Sequence, residues 1–147
     1  MRRFGEPQRE GQAYRQRPGA YGVIIGADGV LLTLEDTRPP EVQLPGGGID
    51  PDETPVRALH REVYEETGWR IRVIRRLGAY QRYGYMPEYD LWARKICHIY
   101  LCVPVRRLGP VPEPHHTVIW ATIDAASSTL SNSGDRHFFE RAVAGLR

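Results

Sequence analysis

Residues 46–69 read GGGIDPDETPVRALHREVYEETGW, and this segment predicts a glycine-rich turn followed by a helix. Thr54 is a good N-cap, Pro55 suits the first helical position, and Gly68 suits a left-handed C-cap. The glycines ahead of Thr54 favour neither a helix nor a strand. The pattern therefore predicts a helix over residues 55–67 that starts just after an irregular turn.

The helix combines an apolar stripe with an acidic one. The apolar residues at helical spacing are Val56, Leu59 and Val63, which predicts a buried face. The acidic residues at spacing i, i+3 and i+4 are Glu62, Glu65 and Glu66. Like charges so spaced weaken a helix by a few tenths of a kcal/mol per pair, whereas Mg²⁺ requires clustered oxygen ligands. A metal site beside an anion-binding turn and a solvated acidic helix face are both compatible with these features alone.

The spacing of the surrounding residues distinguishes the two interpretations. Gly47 is followed after five residues by Glu53, and after seven more by the run REVYEETGW of residues 61–69. This pattern resembles the Nudix box at every fixed position. Trp69 occupies a position that is usually aliphatic, and since it is apolar we expect only a packing adjustment. Weaker similarities in residues 44–47 and 120–125 extend the resemblance over most of residues 18–146.

The resemblance implies an α+β fold, a Nudix-type α/β/α sandwich with a mixed sheet between helices. It also implies a Mg²⁺-dependent or Mn²⁺-dependent pyrophosphohydrolase, in which water attacks phosphorus in a nucleoside diphosphate linked to another moiety. Carried over by position, Glu62, Glu65 and Glu66 are the expected metal ligands. Glu53 and Arg61 are expected to hold the loop and helix in register, and these five residues form the expected catalytic set. The expected phosphate loop is Gly46, Gly47 and Gly48.

The sequence does not decide which residue is the general base, because the family takes this residue from the box helix or from a later loop. Candidates outside the box, each more often a surface polar residue, are Glu88, Asp90, Glu113, His115 and His116.

The substrate's base or sugar is expected to contact an aromatic loop after the helix. Its aromatic residues are Tyr80, Tyr83, Tyr85, Tyr89 and Trp92. At least half of them are expected to be core or strand residues, and Arg82 or Arg94 is expected near phosphate. The substrate-binding candidates are Arg38, Tyr83, Tyr85 and Glu113.

Subfamily markers lie roughly sixteen to eighteen positions beyond the box, and they conflict here. Tyr85 resembles the marker of hydrolases that act on dinucleoside polyphosphates or RNA 5′ ends. Pro87 resembles that of ADP-ribose pyrophosphatases. Dinucleoside polyphosphates, ADP-ribose and (d)NTP-like compounds therefore all remain candidate substrates.

Two other functions on the same fold are open to test. One is a non-catalytic nucleotide-sensing module, although such modules usually lose box glutamates. The other is an isoprenoid diphosphate isomerase, which would need a reactive cysteine. Cys97 and Cys102 instead have the pattern of buried strand residues, too badly placed to form a disulfide with each other.

The flanking sequence supplies the other elements. Strands are predicted over 20–25 and 30–34, joined by a turn at 26–29, and over 42–44, 71–80, 96–105 and 118–120. Asp135 or Ser133 is expected to cap a last helix, whose repeating apolar residues are Phe139, Ala142, Val143 and Leu146. Residues 1–17 are expected to be a flexible arm whose end can join a sheet, and residues 18–147 a single Nudix hydrolase domain.

Composition limits the partners and the location. The chain has 147 residues, 41% of them hydrophobic and 26% charged, which fits one globular domain. A net charge of +2 is too small to indicate a nucleic-acid surface, so among nucleic acids only an RNA 5′ end is considered. The sequence predicts neither a membrane span nor a signal peptide, and a cytoplasmic protein is expected. A homodimer is implied by family analogy only.

Overall fold

The computed structural model describes residues 1–146, and the strands in that range form one eight-stranded sheet. The strands are β1 (Arg2–Arg3), β2 (Arg15–Gly26), β3 (Gly29–Glu35), β4 (Glu41–Gln43), β5 (Gly46–Gly48), β6 (Trp69–Met86), β7 (Leu91–Arg107) and β8 (His116–Ala121). The helices are α1 (Pro55–Thr67), α2 (Ile123–Thr129) and α3 (Ser133–Leu146), and a single 3₁₀ turn spans Pro87–Tyr89. Arg147, the last residue of the predicted domain, lies outside the described residues.

The sheet is mixed and has helices on both faces. Its main strand order is β1-β6-β7-β2-β3-β4, with β5 beside β2 and β8 beside β3. The β1–β6 and β2–β7 pairs are parallel and the remaining pairs are antiparallel. The predicted α/β/α sandwich is therefore confirmed.

Two apolar clusters lie on opposite faces of the sheet. On one face, residues of α2 and α3 and the residue that follows α2 pack on the strands: Ala126, Leu130, Phe138, Phe139 and Ala142. On the other face, Leu59 and Val63 of α1 pack against Ala20 and Ile24 of β2. Trp69 joins this second cluster and meets Trp120 edge to face, with ring centroids 5.3 Å apart, so the unusual tryptophan keeps an apolar packing role.

The apolar stripe predicted for α1 is only partly present. Leu59 and Val63 are fully buried, but Val56 is 36% exposed and Ala58 is buried in its place. Val56 lies in the first helical turn, at the rim of a shallow hollow that also contains Ile71 and Val105. Leu146, at the far end of α3, is exposed as well.

The predicted hairpin with a turn at 26–29 is confirmed, since Gly26 pairs with Gly29 across Ala27–Asp28. The predicted aromatic loop is wrong. β6 and β7 continue as one long hairpin that turns at residues 87–90, and Tyr85 pairs with Trp92. Aromatic side chains favour strands, and here they pair across the hairpin, which extends both strands into the region predicted as a loop.

Three further elements differ from prediction. The glycine segment is a strand, because Gly46–Gly48 pair with β2, and α2 was not predicted. The cap of α3 is Asn132, whose side-chain oxygen accepts a 2.7 Å hydrogen bond from the Asp135 backbone N–H. The helix begins at Ser133, so neither Ser133 nor Asp135 has the non-helical position of a cap.

Asp135 instead ties α3 to the link between β4 and the glycine segment. Its carboxylate is 2% exposed and accepts hydrogen bonds from the Leu44 N–H (3.1 Å), the Tyr80 hydroxyl (2.8 Å) and the Asn132 amide (2.9 Å). Burial raises the pKa of Asp135, against the effect of these hydrogen bonds. Tyr80, proposed from sequence as a stacking residue, is thus part of the core.

The N-terminal segment lies at the edge of the sheet. Arg2 and Arg3 pair with Tyr80 and Gln81 of β6, and Phe4 packs edge to face on Tyr80 at 5.5 Å. No helix within residues 1–146 has the length and apolar character needed to cross a bilayer.

Candidate active site

Helix α1 presents the glutamates from a well-defined start and end. The Thr54 hydroxyl accepts a 3.2 Å hydrogen bond from the Arg57 N–H, and Pro55 begins the helix. Gly68 ends it with φ of 75° and donates its N–H to the Tyr64 carbonyl at 2.8 Å. Because this helix packs on the sheet through Leu59 and Val63, the glutamates are held beside the edge formed by β5.

Arg61 links the helix to the turn that precedes it. Its Nε and Nη2 atoms each donate a 2.7 Å hydrogen bond to Glu53, one to each carboxylate oxygen. Nη2 also donates to the Gly48 carbonyl at 3.0 Å, and Nη1 donates to Glu62 at 3.0 Å and Glu65 at 3.4 Å. Hydrogen bonds from Arg61 lower the pKa of Glu53 to about 2. One guanidinium therefore orients both the glycine turn and two helix glutamates.

The glycines of β5 allow carboxylates to approach the main chain. The Gly46 N–H donates a 3.0 Å hydrogen bond to Glu66, and a Cβ atom at Gly47 would lie 2.5 Å from the Glu62 carboxyl carbon. The segment expected from sequence to be a phosphate loop thus lies directly against two box glutamates.

Substituting Gly46 by alanine is expected to destabilise the fold by about 3 kcal/mol. Gly46 has φ of 148°, and a Cβ atom there would lie 2.1 Å from the Ala20 carbonyl oxygen. Gly48→Ala is the matched control, because no atom lies within 4 Å of its added Cβ. Thermal unfolding of both variants checks this; equal unfolding midpoints would contradict the described β2–β5 packing.

The loop before β8 completes a cluster of carboxylates. Glu62, Glu65 and Glu113 each offer an oxygen, and these atoms lie within 4.8 Å of one another. The Glu113 N–H donates to the Glu65 carbonyl at 3.0 Å, which fixes this loop to the end of α1. Glu66, the third ligand expected from the box, is adjacent, with one oxygen on Gly46 and the other 3.5 Å from His116 Nε2.

His116 lies between two of the carboxylates. Its side chain is 11% exposed, and its Nδ1 atom is 2.9 Å from a Glu113 oxygen. The two groups are not aligned for a hydrogen bond, so Nδ1 is buried without a hydrogen-bond partner among the described residues. Sequence reasoning named Glu113 and His116 only as weak candidates, because no local pattern reveals a contact between residues 65 and 113.

Burial makes negative charge unfavourable in this cluster. It raises the pKa of Glu66 well above its usual range, although the Gly46 hydrogen bond acts in the opposite direction. It also raises the pKa of Glu62, against the opposing effect of Arg61. A hard divalent cation would compensate both charges, and the donor set consists entirely of the carboxylate oxygens that Mg²⁺ and Mn²⁺ accept. The residues present therefore fit such a cation.

The other predicted substrate residues do not join this cluster. Arg38 is exposed in the loop between β3 and β4. Tyr83 packs edge to face on Tyr14 at 4.7 Å, and the exposed Tyr85 donates a hydrogen bond to Asp90. Arg94 donates to the Gln81 side chain at 2.8 Å. His115 and Glu88 are exposed.

The two cysteines are unsuited to isomerase chemistry. Both are buried, in the clusters on opposite faces of the sheet. Burial raises the pKa of each thiol to about 12, so neither provides a thiolate near neutral pH.

Comparison with known proteins identifies the family. The model of the NUDIX domain matches residues 15–142. The chain belongs to the NUDIX family. This confirms the assignment made from the box, and the matched range contains every residue of the carboxylate cluster and of the Arg61 network.

Individual NUDIX relatives show the same likeness. A "MutT-like protein" of Streptomyces ambofaciens is 29% identical over 110 residues, which are 75% of this chain and 66% of the relative. An "RNA pyrophosphohydrolase" of Xanthomonas campestris is 40% identical over 63 residues, which are 43% of this chain and 31% of the relative. The chain thus spans less than two thirds of the length of these curated relatives.

A solved "NUDIX hydrolase from Nitrosomonas europaea" shares the fold. It superposes with a TM-score of 0.71 at 21% identity, and the match covers 90% of this chain and 92% of the other.

Proposed function

We propose that the protein is a Mg²⁺-dependent pyrophosphohydrolase that cleaves a diphosphate linkage in a nucleotide-like substrate. The observation that carries the proposal is the convergence of Glu62, Glu65 and Glu113 within 4.8 Å, beside a glycine segment that lets Glu62 and Glu66 approach the main chain. An acidic helix face alone would not require a loop carboxylate to be fixed against it.

Glu62, Glu65 and Glu113 would hold the cation, and Glu66 is the further ligand that the box predicts. When bound, Mg²⁺ supplies positive charge that neutralises the diphosphate and the leaving oxygen. Arg61 keeps Glu62 and Glu65 aimed at the common centre and fixes the turn through the Gly48 carbonyl. A cluster carboxylate takes the proton of the attacking water as general base.

The substrate is proposed as a nucleoside diphosphate linked to another moiety. ADP-ribose, dinucleoside polyphosphates and (d)NTP-like compounds all contain this linkage. The name of the Xanthomonas relative supports including the triphosphorylated 5′ end of RNA as the nucleic-acid candidate. Formation of a homodimer stays a prediction.

A product-release assay tests the proposal over a panel of nucleotides, each with Mg²⁺ or with EDTA. The panel contains ADP-ribose, diadenosine polyphosphates, ordinary and oxidised nucleoside triphosphates, NADH and triphosphorylated RNA. We expect Mg²⁺-dependent cleavage of one compound well above the others. Tight binding of a panel compound without any cleavage would overturn the proposal in favour of a nucleotide sensor.

A further inference from the structure

Three basic side chains form a row across one face of the sheet. The strand register pairs Arg17 of β2 with Lys95 of β7, and pairs Lys95 with Arg82 of β6. Directly paired residues project from the same face, so these three side chains stand next to one another. Neighbouring strands are about 4.8 Å apart, and the basic row therefore spans roughly 10 Å. All three residues are partly buried.

The basic row lies on the face that α3 covers. Cys97 and Tyr80, each two residues from a member of the row on its own strand, pack in the cluster that contains Phe138. Arg82 also lines a cavity of about 220 Å³ together with Ser133 and Gly134 in the first turn of α3. The amides of a first helical turn lack partners within the helix and favour an anion.

None of the three basic side chains forms a direct ion pair with a described residue, although the carboxylates of Glu41 and Asp135 act on Arg82 from a longer distance. Every ion pair within residues 1–146 involves Arg61 or His116. The Arg17 guanidinium lies over the Tyr89 ring at 4.8 Å, which positions it without neutralising it. Asp135, buried on the same side of the sheet, already accepts its three hydrogen bonds. Like charges directly opposite in a sheet are destabilising, so stability does not explain the row.

Tyr21 connects the basic row to the carboxylate cluster. It packs on the same face of the sheet, and its hydroxyl would lie 2.9 Å from a Cβ atom at Gly19. The ring therefore extends over Gly19, two residues from Arg17 along β2. Burial raises the pKa of Tyr21, and the nearby carboxylates of Glu66 and Glu62 are among the groups that add to this effect. Tyr21 also pairs with Gly46, whose N–H donates to Glu66, so the row and the proposed cleavage site adjoin one another through β2 and β5.

We propose that Arg17, Lys95 and Arg82 form a second anion subsite, which binds a phosphoryl group of the substrate other than the diphosphate that is cleaved. This inference rests on the proposed hydrolase function, and it restricts the class of substrates proposed for the hydrolase. The preferred substrates are nucleotides that carry an additional phosphate monoester or phosphodiester.

Lys95 is the sole lysine in the sequence, so it provides a direct probe. Reductive ¹³C-methylation labels Lys95 and the N-terminal amine while preserving their positive charge. Inorganic pyrophosphate is then titrated in EDTA, where the carboxylate cluster repels anions, and both methyl signals are followed by NMR. We expect a saturable shift of the Lys95 signal, with the N-terminal signal as the internal control for ionic strength.

The Arg82→Gln variant is expected to weaken this binding about tenfold, the value of one charge-assisted contact. Arg106→Gln, at an exposed position near the far end of β7, is the matched control and is expected to bind like the unsubstituted protein. The absence of a saturable shift, or equal weakening in the two variants, would overturn the subsite.

Kinetics with Mg²⁺ then identify the source of the phosphoryl group. Three substrates are compared. GTP has no additional phosphate, GTP carrying a 3′-phosphate has a phosphate monoester, and the dinucleotide pppGpA has a phosphodiester. We expect kcat/KM to be about tenfold higher for one of the last two compounds than for GTP. In Arg82→Gln, the ratio of these two kcat/KM values is expected to fall toward one. Equal kcat/KM for all three would contradict the inference. If nothing is cleaved, the hydrolase proposal fails, while the metal-free titration still reports on the subsite.

Discussion

Replacing Glu66 by glutamine is expected to lower turnover by roughly 10²- to 10⁴-fold while the fold survives. Glutamine keeps an acceptor oxygen for the Gly46 N–H but removes the charge that faces His116 and the cluster. Since burial disfavours the charged form of Glu66, its loss is not expected to lower stability. The measurements are kcat with Mg²⁺ and thermal unfolding in EDTA.

Glu140→Gln is the matched control for this substitution, because Glu140 is an exposed helix glutamate on α3 whose contact is with Ser127. It is expected to retain the turnover of the unsubstituted protein. Full activity in Glu66→Gln would refute the assignment of this carboxylate to the reaction.

Arg61→Gln is expected to reduce turnover by roughly 10- to 100-fold, the usual effect of losing a residue that orients metal ligands. The substitution removes the contacts to Glu62 and Glu65 and releases the turn at Gly48. Arg61→Lys keeps the charge but loses the paired hydrogen bonds to Glu53, so it should rescue little. Arg57→Gln, one turn earlier on the same helix, is the control. Turnover of Arg61→Gln equal to that of the Arg57 control would contradict the orienting role.

The same variant should change how stability depends on pH. Arg61 lowers the pKa of Glu53 from 4.5 to about 2 in the folded protein. A lowered pKa stabilises the fold above the unfolded value, and this contribution disappears as the pH falls through the folded value. The unsubstituted protein should therefore be more stable than Arg61→Gln at pH 6, and the difference should shrink between about pH 4.5 and 2. Unfolding midpoints across this range check the prediction, and a constant difference would contradict it.

The box helix could be predicted well from sequence because its signals are local. Thr54, Pro55 and Gly68 define its start and end through their own backbone preferences, and the structure has the same limits. The sandwich followed from the resemblance carried by the box. The exposure of Val56 could not be predicted, since it depends on how closely the helix packs on Ile71 and Val105, which are distant in the sequence.

The parts that sequence could not give are long-range contacts. The hydrogen bond between the Glu113 N–H and the Glu65 carbonyl brings a loop carboxylate to the helix from a distant part of the chain. The alignment of Arg17, Lys95 and Arg82 likewise depends on the register of three strands, which no local pattern specifies. The β6–β7 hairpin was misjudged because aromatic residues such as Tyr85 and Trp92 suit both a binding loop and a paired strand.

Titration with Mn²⁺ followed by electron paramagnetic resonance shows whether the carboxylate cluster binds a divalent cation, as we propose. The measurement needs no substrate and is independent of turnover. We expect saturable Mn²⁺ binding that is competed by Mg²⁺, weakened at least about tenfold in Glu65→Gln and in Glu113→Gln, and unchanged in Glu140→Gln. Equal Mn²⁺ affinity in all three variants would show that the carboxylate cluster does not hold the cation.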